Sequence, residues 1–387
     1  MVTIGWLVLL LMLVIGLRLG GVSLGLLSGL GLGLLTFSIQ PAAPPNDLML
    51  LQATWFLLMA TLEATGFFYL LETKLRSCIA QAHNHHGGFV VLFCYGLVFL
   101  TGDAKWLHRL VCDQNALYRD KPRLLVPLGI AAHMALLASP LSISGILLIV
   151  VAGNGGLAIL DLIGMIVAIT ASITAASSLL VGRIPDKWLM KACEWLKAYP
   201  KDDAKAVTES TGKVQFSFLL LLLVAMLFLL IKPEANRLTG LSCKIFPVRF
   251  PIFFALVMLS IAAVAILGFK IKPAKILQTY RFKLGIQQFF IFLGLTWLLD
   301  SLISHDKTYL IKIVCDGKAN YGDYLVAALY MLLIDIPIVI WLFSALLIEQ
   351  HCNIVTLALW LVVVHSLAPI RCWISSILQS YKNSNSI

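Results

Sequence analysis

The chain has 387 residues, of which 60% are hydrophobic and only 12% are charged, and its mean hydropathy is +0.94. Soluble domains contain about 45–50% apolar and about 25% charged residues, so this composition excludes an ordinary soluble fold. The formal net charge of +10 does not indicate a nucleic-acid partner, because the basic residues lie in loops between apolar runs, where membrane topology accounts for them.

The apolar runs predict an all-α polytopic membrane protein. A spanning helix needs about 20 apolar residues, so the chain suits about ten transmembrane helices joined by short loops. In chain order the runs are residues 2–17, 22–39, 48–71, 89–100, 124–151, 157–181, 214–231, 252–269, 284–303, 324–348 and 355–374.

The basic residues between these runs predict which loops face the cytoplasm. Seven Lys and Arg residues lie in 183–213 and five in 270–283, against four in the intervening loop 232–249. The positive-inside rule therefore places the two richer loops in the cytoplasm. With Lys74 and the basic stretch 119–123 also inside, residues 89–113 must enter and leave on one face, which predicts a re-entrant hairpin.

The second half of the chain predicts another re-entrant hairpin, with the opposite orientation in the membrane. The polar stretch 305–323 lies outside, so the run 324–348, broken by Asp335 and Pro337, is predicted as a second hairpin that enters from outside. Two hairpins of opposite orientation indicate an inverted repeat with a substrate site near the bilayer midplane. The predicted units are an N-terminal membrane half, a cytoplasmic basic linker and a C-terminal membrane half, at residues 1–182, 183–213 and 214–387.

Several stretches of the first half resemble the anaerobic C4-dicarboxylate carriers, the Dcu family. They are GLRLGGVSLGLLSGLGLGLLTF at 16–37, PAAPPNDLML at 41–50, ATLEATG at 60–66 and IAAHMALLASPLSISGILLIV at 130–150. The resemblance implies a secondary antiporter or symporter of fumarate, succinate, malate or aspartate in a bacterial inner membrane. Its partners would be a small dicarboxylate anion and the lipid bilayer, with a homo-oligomer left open.

The chain departs from the family pattern at both hairpin tips. It reads TGDAKWLHRLVC at 101–112 and LIDIPIVIW at 333–341, where the family has G-T-G-H and S-x-x-x-N-S types of tip, and the last family helix is not recognisable. The alternative is therefore a non-transporting relic of the carrier fold that acts as a membrane sensor or assembly partner. An enzyme is not expected, because no Walker loop, G-x-S-x-G or H-E-x-x-H motif is present.

Polar and irregular residues inside the apolar runs are the candidates for substrate contact. Pro140 removes a backbone donor within a run, which produces either a ligand-binding helix break or a simple kink. Lys105, His108 and Arg109 share a helix face and offer charge-assisted donors, unless they only reach toward the membrane surface. Asp335 would repel a dianion unless it is protonated. The predicted substrate-binding set is Thr101, Gly102, Lys105, Arg109, Ser139, Pro140, Ser142 and Asp335.

Other chemistry-bearing residues have simpler interpretations. Glu63 and Asp161 lie within apolar runs, where they either serve function or pair with a nearby Lys or Arg. The glycines of residues 20–33 favour close helix packing over ligand contact. The His-rich stretch 83–86 has no accompanying carboxylate or Cys, and the eight Cys residues form no C-x-x-C pair, so neither a metal nor a cofactor is expected.

Overall fold

A computed structural model describes residues 2–81, 87–104, 122–154, 159–181 and 250–314, together with Ala358, Leu361, Val362 and His365. The described part of the chain consists of helices joined by short turns and loops, as predicted, with no strand among the described residues. Its helices are α1 (Val2–Leu19), α2 (Ser23–Leu35), α3 (Asn46–Thr65), α4 (Phe67–Gln81), α5 (Gly87–Thr101), α6 (Pro122–Ala138), α7 (Ile143–Asn154), α8 (Ile159–Val181), α9 (Phe250–Phe269), α10 (Pro273–Gln278) and α11 (Tyr280–Val314).

Five stretches of the described helices are long and apolar enough to cross a bilayer. They are Asn46–Thr65, Val126–Ile149, Ile159–Val181, Pro251–Phe269 and Tyr280–Asp306. These stretches agree with the predicted polytopic fold. The predicted linker 183–213, the run 214–231 and the second hairpin lie outside the described residues, so the division into two halves stays a prediction.

The predicted run 48–71 is divided into two helices at Gly66. Gly66 has φ +81° and donates its N–H to the carbonyl oxygen of Glu63 at 3.0 Å. A glycine in this left-handed conformation ends a helix because it carries no Cβ. The break places Glu63 in the last turn of α3.

Glycines allow α2 and α11 to approach each other closely, as the sequence predicts. A Cβ on Gly25 would lie 2.1 Å from the carbonyl oxygen of Phe290, and one on Gly294 would lie 1.9 Å from that of Gly25. Any larger residue would therefore push the helices apart. The packing role does not extend to Gly29 and Gly33, where a Cβ would meet nothing within 4 Å.

The helices pack as two bundles. We call the first the α11 bundle. In it, α11 packs against α2 and α3, α2 also packs against α1, and α3 also packs against α9. In the other, the α5 bundle, α5, α6 and α8 pack against one another, and α7 continues from α6. The contacts of α3 with α11 run from Glu63 with Arg281 to Phe56 with Gly285, so these two helices are antiparallel.

A reciprocal histidine pair joins α6 to the C-terminal part of the chain. Nε2 of His133 lies 2.8 Å from the carbonyl oxygen of His365, and Nε2 of His365 lies 2.8 Å from that of His133. The rings stack with centroids 4.2 Å apart. Because a carbonyl only accepts, each Nε2 must carry the hydrogen. The pair thus fixes α6 against the chain at His365.

Candidate functional site

The end of α5 meets a break between α6 and α7 inside the helical core. The 15 residues of α5 extend about 22 Å at 1.5 Å per residue, less than the roughly 30 Å hydrocarbon core of a bilayer. The first arm of the predicted re-entrant hairpin falls on this helix. The return arm lies outside the described residues, so the hairpin itself stays a prediction.

A side-chain hydrogen bond and a close backbone contact hold the end of α5 against the break. The hydroxyl of Ser139 donates to the carbonyl oxygen of Phe99 at 2.6 Å. Gly102 has φ +66°, and a Cβ there would lie 2.4 Å from both the carbonyl carbon and the oxygen of Leu141. Only glycine therefore fits at this point, both for conformation and for space.

Pro140 and two serines shape the break itself. Pro140 has no N–H to donate to the helix. The Ser142 hydroxyl lies within hydrogen-bond distance of the carbonyl oxygens of Leu136 and Ser139, at 2.5 and 3.0 Å, and accepts the N–H of Gly145 at 2.9 Å. Ser142 is therefore the N-cap of α7. The helix restarts from a fixed position, so the break is an ordered part of the structure.

A bond from the α11 bundle also reaches the break. The indole N–H of Trp55, in α3, donates to the carbonyl oxygen of Leu141 at 2.8 Å, and this contact is buried. The carbonyl would otherwise lose its helical donor, because the break interrupts the ladder. Trp55 thus supplies a hydrogen bond to the carbonyl of Leu141 and joins the two bundles at the break.

An ion cluster of Arg281, Asp103 and Glu63 lies directly beside the end of α5. The Nε atom of Arg281 donates to Oδ2 of Asp103 at 3.0 Å, and Nη2 contacts the same oxygen. The backbone N–H of Arg281 donates to Oε2 of Glu63 at 2.8 Å, and Nη1 lies 3.6 Å from Oε1. All three residues are more than nine-tenths buried.

The position of the ion cluster links three elements. Asp103 follows α5, Glu63 lies in the last turn of α3 and Arg281 lies in the first turn of α11, so the cluster joins the α5 bundle to the α11 bundle. The guanidinium carbon also lies 3.7 Å from the ring centroid of Phe68, where a cation is stabilised by the aromatic face. Among the described residues Nη1 of Arg281 has no hydrogen-bond partner.

The structure brings together five of the predicted substrate-binding residues. All five are buried at the junction of α5 with the break: Thr101, Gly102, Ser139, Pro140 and Ser142. The hydroxyl of Thr101 donates to the carbonyl oxygen of Leu97 at 2.9 Å. Lys105, Arg109 and Asp335 lie outside the described residues, so their predicted role stays untested.

The ion cluster contains two residues that the sequence reasoning did not select. Asp103 directly follows Thr101 and Gly102, so its position at the predicted tip could have suggested it. Arg281 was counted only as a loop cation, although the structure buries it. Of the two alternatives for Glu63, the structure supports ion pairing, whereas Asp161 lies exposed in the first turn of α8. Within the described residues no three His, Cys, Asp or Glu side chains are placed to hold a metal.

Comparison with known proteins gives a family match over most of the chain. The model of a family described as anaerobic C4-dicarboxylate membrane transporter matches residues 1–362. The anaerobic C4-dicarboxylate transporter DcuB of Escherichia coli O6:H1 is 28% identical over 160 residues, 39% of this chain and 35% of that protein. The C4-dicarboxylate transporter DcuA of Helicobacter pylori is 25% identical over 341 residues, 84% and 75% of the two chains. The chain thus spans about a third of the length of the DcuB protein, and no solved structure matches it.

Proposed function

The chain belongs to the anaerobic C4-dicarboxylate membrane transporter family, and from this membership we propose that it carries C4-dicarboxylates across a bacterial inner membrane. The proposed substrates are fumarate, succinate, malate and aspartate, moved by antiport or symport. The names of the DcuB and DcuA relatives support the substrate class. The carrier works by binding and release, without chemical catalysis.

The observation that carries this proposal is the meeting of the α5 end with the helix break. Irregular backbone inside a membrane protein persists where it is buried in protein or lines a cavity, and the start of a half-helix attracts an anionic group. Thr101, Ser139 and Ser142 provide hydroxyls beside this backbone, and Gly102 allows its close approach. We place one end of the dicarboxylate here, and Lys105, Arg109 and Asp335 complete the proposed binding set.

Alternating access requires the two bundles to move against each other. The Trp55 bond to Leu141 and the contact of Asp103 with Arg281 both cross between the bundles. In the proposed cycle these contacts break when the α5 bundle moves and form again when it returns. Substrate held at the break then moves with the α5 bundle from one side to the other.

Uptake into proteoliposomes tests the proposal. Purified protein should accumulate labelled succinate above the level of protein-free vesicles. Uptake that depends on unlabelled fumarate or aspartate inside the vesicles identifies antiport, and uptake that depends on an imposed proton gradient identifies symport. If the intact protein neither transports nor binds any of the four dicarboxylates, the proposed transport function is wrong and the non-transporting alternative replaces it.

A further inference from the structure

Arg281 is the only buried Lys or Arg among the residues whose side chains the structure describes. The other Lys and Arg side chains in that part of the chain are exposed. A dicarboxylate that leaves water for the interior of the protein loses its hydration, and positive charge is needed to offset that cost. Arg281 is therefore the described cation that offers charge inside the helical core.

The carboxylates of the protein do not use all the donors of this guanidinium. An arginine side chain has five N–H donors in a rigid fork. Nε and Nη2 both contact Oδ2 of Asp103, so one oxygen serves two donors, whereas a bidentate pair supplies one oxygen for each. Nη1 lies 3.6 Å from Oε1 of Glu63 and has no hydrogen-bond partner among the described residues. A carboxylate that offers both oxygens to the fork would satisfy Arg281 better.

Arg281 also reaches the part of α5 where we place one end of the substrate. Its partner Asp103 directly follows Gly102, and the carbonyl oxygen of Asp103 lies 3.3 Å from the Thr101 hydroxyl. Gly102 in turn lies against the backbone of Leu141 in the break. Consecutive Cα atoms are about 3.8 Å apart, so little more than the Asp103 side chain separates the guanidinium from the junction. This separation suits the two ends of a short diacid.

We propose that Arg281 is a specificity-determining residue that binds the second carboxylate of the substrate in place of Asp103. Asp103 occupies the fork while no substrate is bound, and it leaves when the substrate carboxylate accepts from Nε and Nη2, one oxygen for each. This assignment rests on the proposed function, because it names the receptor for the other end of a C4-dicarboxylate. Since Asp103 and Arg281 belong to different bundles, substrate binding also releases the ion contact that joins them.

Asp103→Asn tests whether Asp103 competes with the substrate. The variant keeps a side-chain oxygen that accepts a hydrogen bond but removes the competing charge. Succinate should bind about 3-fold to 30-fold tighter, because a larger fraction of the protein then has Arg281 available. Butyrate has the same chain length and one carboxylate, so its affinity should change less and the ratio of the two dissociation constants should widen. Calorimetry on the purified full-length protein measures both constants.

Arg281→Lys should change succinate affinity in the opposite direction. Lysine keeps the charge but lacks the planar fork, so succinate affinity should fall about 10-fold or more, as for loss of a hydrogen bond to a charged group. The ratio to butyrate should narrow. Asp103→Asn and Arg281→Lys weaken the same ion contact, so a cluster that only stabilises the fold would change affinity in the same direction in both, or in neither. Either result in folded variants overturns the assignment.

A double-mutant cycle separates competition for Arg281 from simple charge repulsion. Asp103 would repel a nearby dianion even if the substrate never touched Arg281. In an Arg281→Gln background the fork is absent, so Asp103→Asn should no longer strengthen succinate binding. An equal gain with and without Arg281 overturns the assignment. Thermal denaturation identifies the folded variants, and if Arg281→Gln does not fold, the comparison of Asp103→Asn with Arg281→Lys decides alone.

Asp306→Asn is the matched control. Asp306 is also a buried carboxylate, but it lies at the far end of the apolar stretch Tyr280–Asp306 and accepts the indole N–H of Trp6 at 2.8 Å. Loss of its charge should leave both affinities unchanged, and a gain equal to that of Asp103→Asn overturns the assignment. Unchanged ligand ratios in folded Asp103 and Arg281 variants do the same while transport stands. Absence of succinate binding in the unmodified protein overturns the proposed transport function and the assignment with it.

Discussion

Arg281 shows how far the role of one residue depends on its neighbours. Its side chain is 4% exposed and contacts the carboxylates of Glu63 in α3 and of Asp103 in the segment that follows α5. Desolvation of such charges costs several kcal/mol for each ion, and mutual attraction offsets this cost only while all partners are present. We therefore expect the stability of the ion cluster to be highly sensitive to removal of Arg281.

Arg281→Met should destabilise the protein by about 3–5 kcal/mol, the usual effect of leaving a buried charge without its partner. Methionine is apolar and keeps the inner part of the side chain, so the change removes mainly the guanidinium and its contacts. The melting temperature of the purified protein in detergent measures the change. Introduction of Asp103→Asn and Glu63→Gln into the same variant should recover part of the loss.

Lys275→Met is the matched control for this prediction, because Lys275 is an exposed cation six residues earlier. It should change stability by less than about 0.5 kcal/mol, as surface substitutions usually do. Arg281→Lys keeps the charge but loses the planar fork of the guanidinium. The melting temperature of this variant should therefore lie between those of Arg281→Met and Lys275→Met. Equal melting temperatures for Arg281→Met and Lys275→Met would contradict a stabilising ion cluster.

At the scale of elements, the end of α5 and the break between α6 and α7 form one unit. Ser139 joins the break to α5 by its hydroxyl, and Gly102 allows the two backbones to touch. Neither element would be stable alone, since each leaves backbone groups without helical partners. Geometry at this junction therefore controls the proposed binding position.

Gly102→Ala should reduce the initial rate of succinate uptake about tenfold or more. The positive φ alone costs an alanine roughly 1–2 kcal/mol, and its Cβ would also overlap the Leu141 backbone. Both effects move the end of α5 away from the break. Gly29→Ala is the control, because nothing lies within 4 Å of that position, and it should keep normal uptake. Normal uptake in a folded Gly102→Ala variant would show that this junction does not form the binding site.

At the scale of the whole molecule, the charge pattern and the packing together predict the orientation in the membrane. The charge count places Lys74 and the loop 270–283 in the cytoplasm. In the structure α3 and α11 are antiparallel, so the segment before α3 lies away from the start of α11, beside its middle turns. That segment is fixed there by the indole N–H of Trp297, which donates to the carbonyl oxygen of Ala42 at 2.7 Å.

Single cysteines in intact cells test this orientation. Replacements at Lys74 and Lys272 should be protected from an impermeant thiol reagent, whereas one at Ala43 should react with it. All three positions are exposed, so access depends on the side of the membrane. A background without native cysteines is the required control. Reaction at Lys74 together with protection at Ala43 would reverse the predicted topology.

The sequence by itself determined the class of the protein and the position of its break. Long apolar runs can be stable only as membrane helices, and Pro140 interrupts one of them because proline lacks an N–H. These are local properties, so they could be predicted from composition and spacing. The same reasoning predicts Thr101, Gly102 and Ser139 as candidates, and the structure places all three at the junction of α5 with the break.

Only the tertiary structure decided which residues meet. Arg281 lies 178 positions from Asp103 and 218 from Glu63 along the chain, and no periodicity relates them, so the charge count treated the arginine as a loop cation. Gln52 likewise reads as one polar residue in an apolar helix until the packed structure shows that its amide has no hydrogen-bond partner among the described residues. Ion pairs and unfilled hydrogen bonds are properties of surroundings, and those surroundings are assembled from distant segments only when the helices pack.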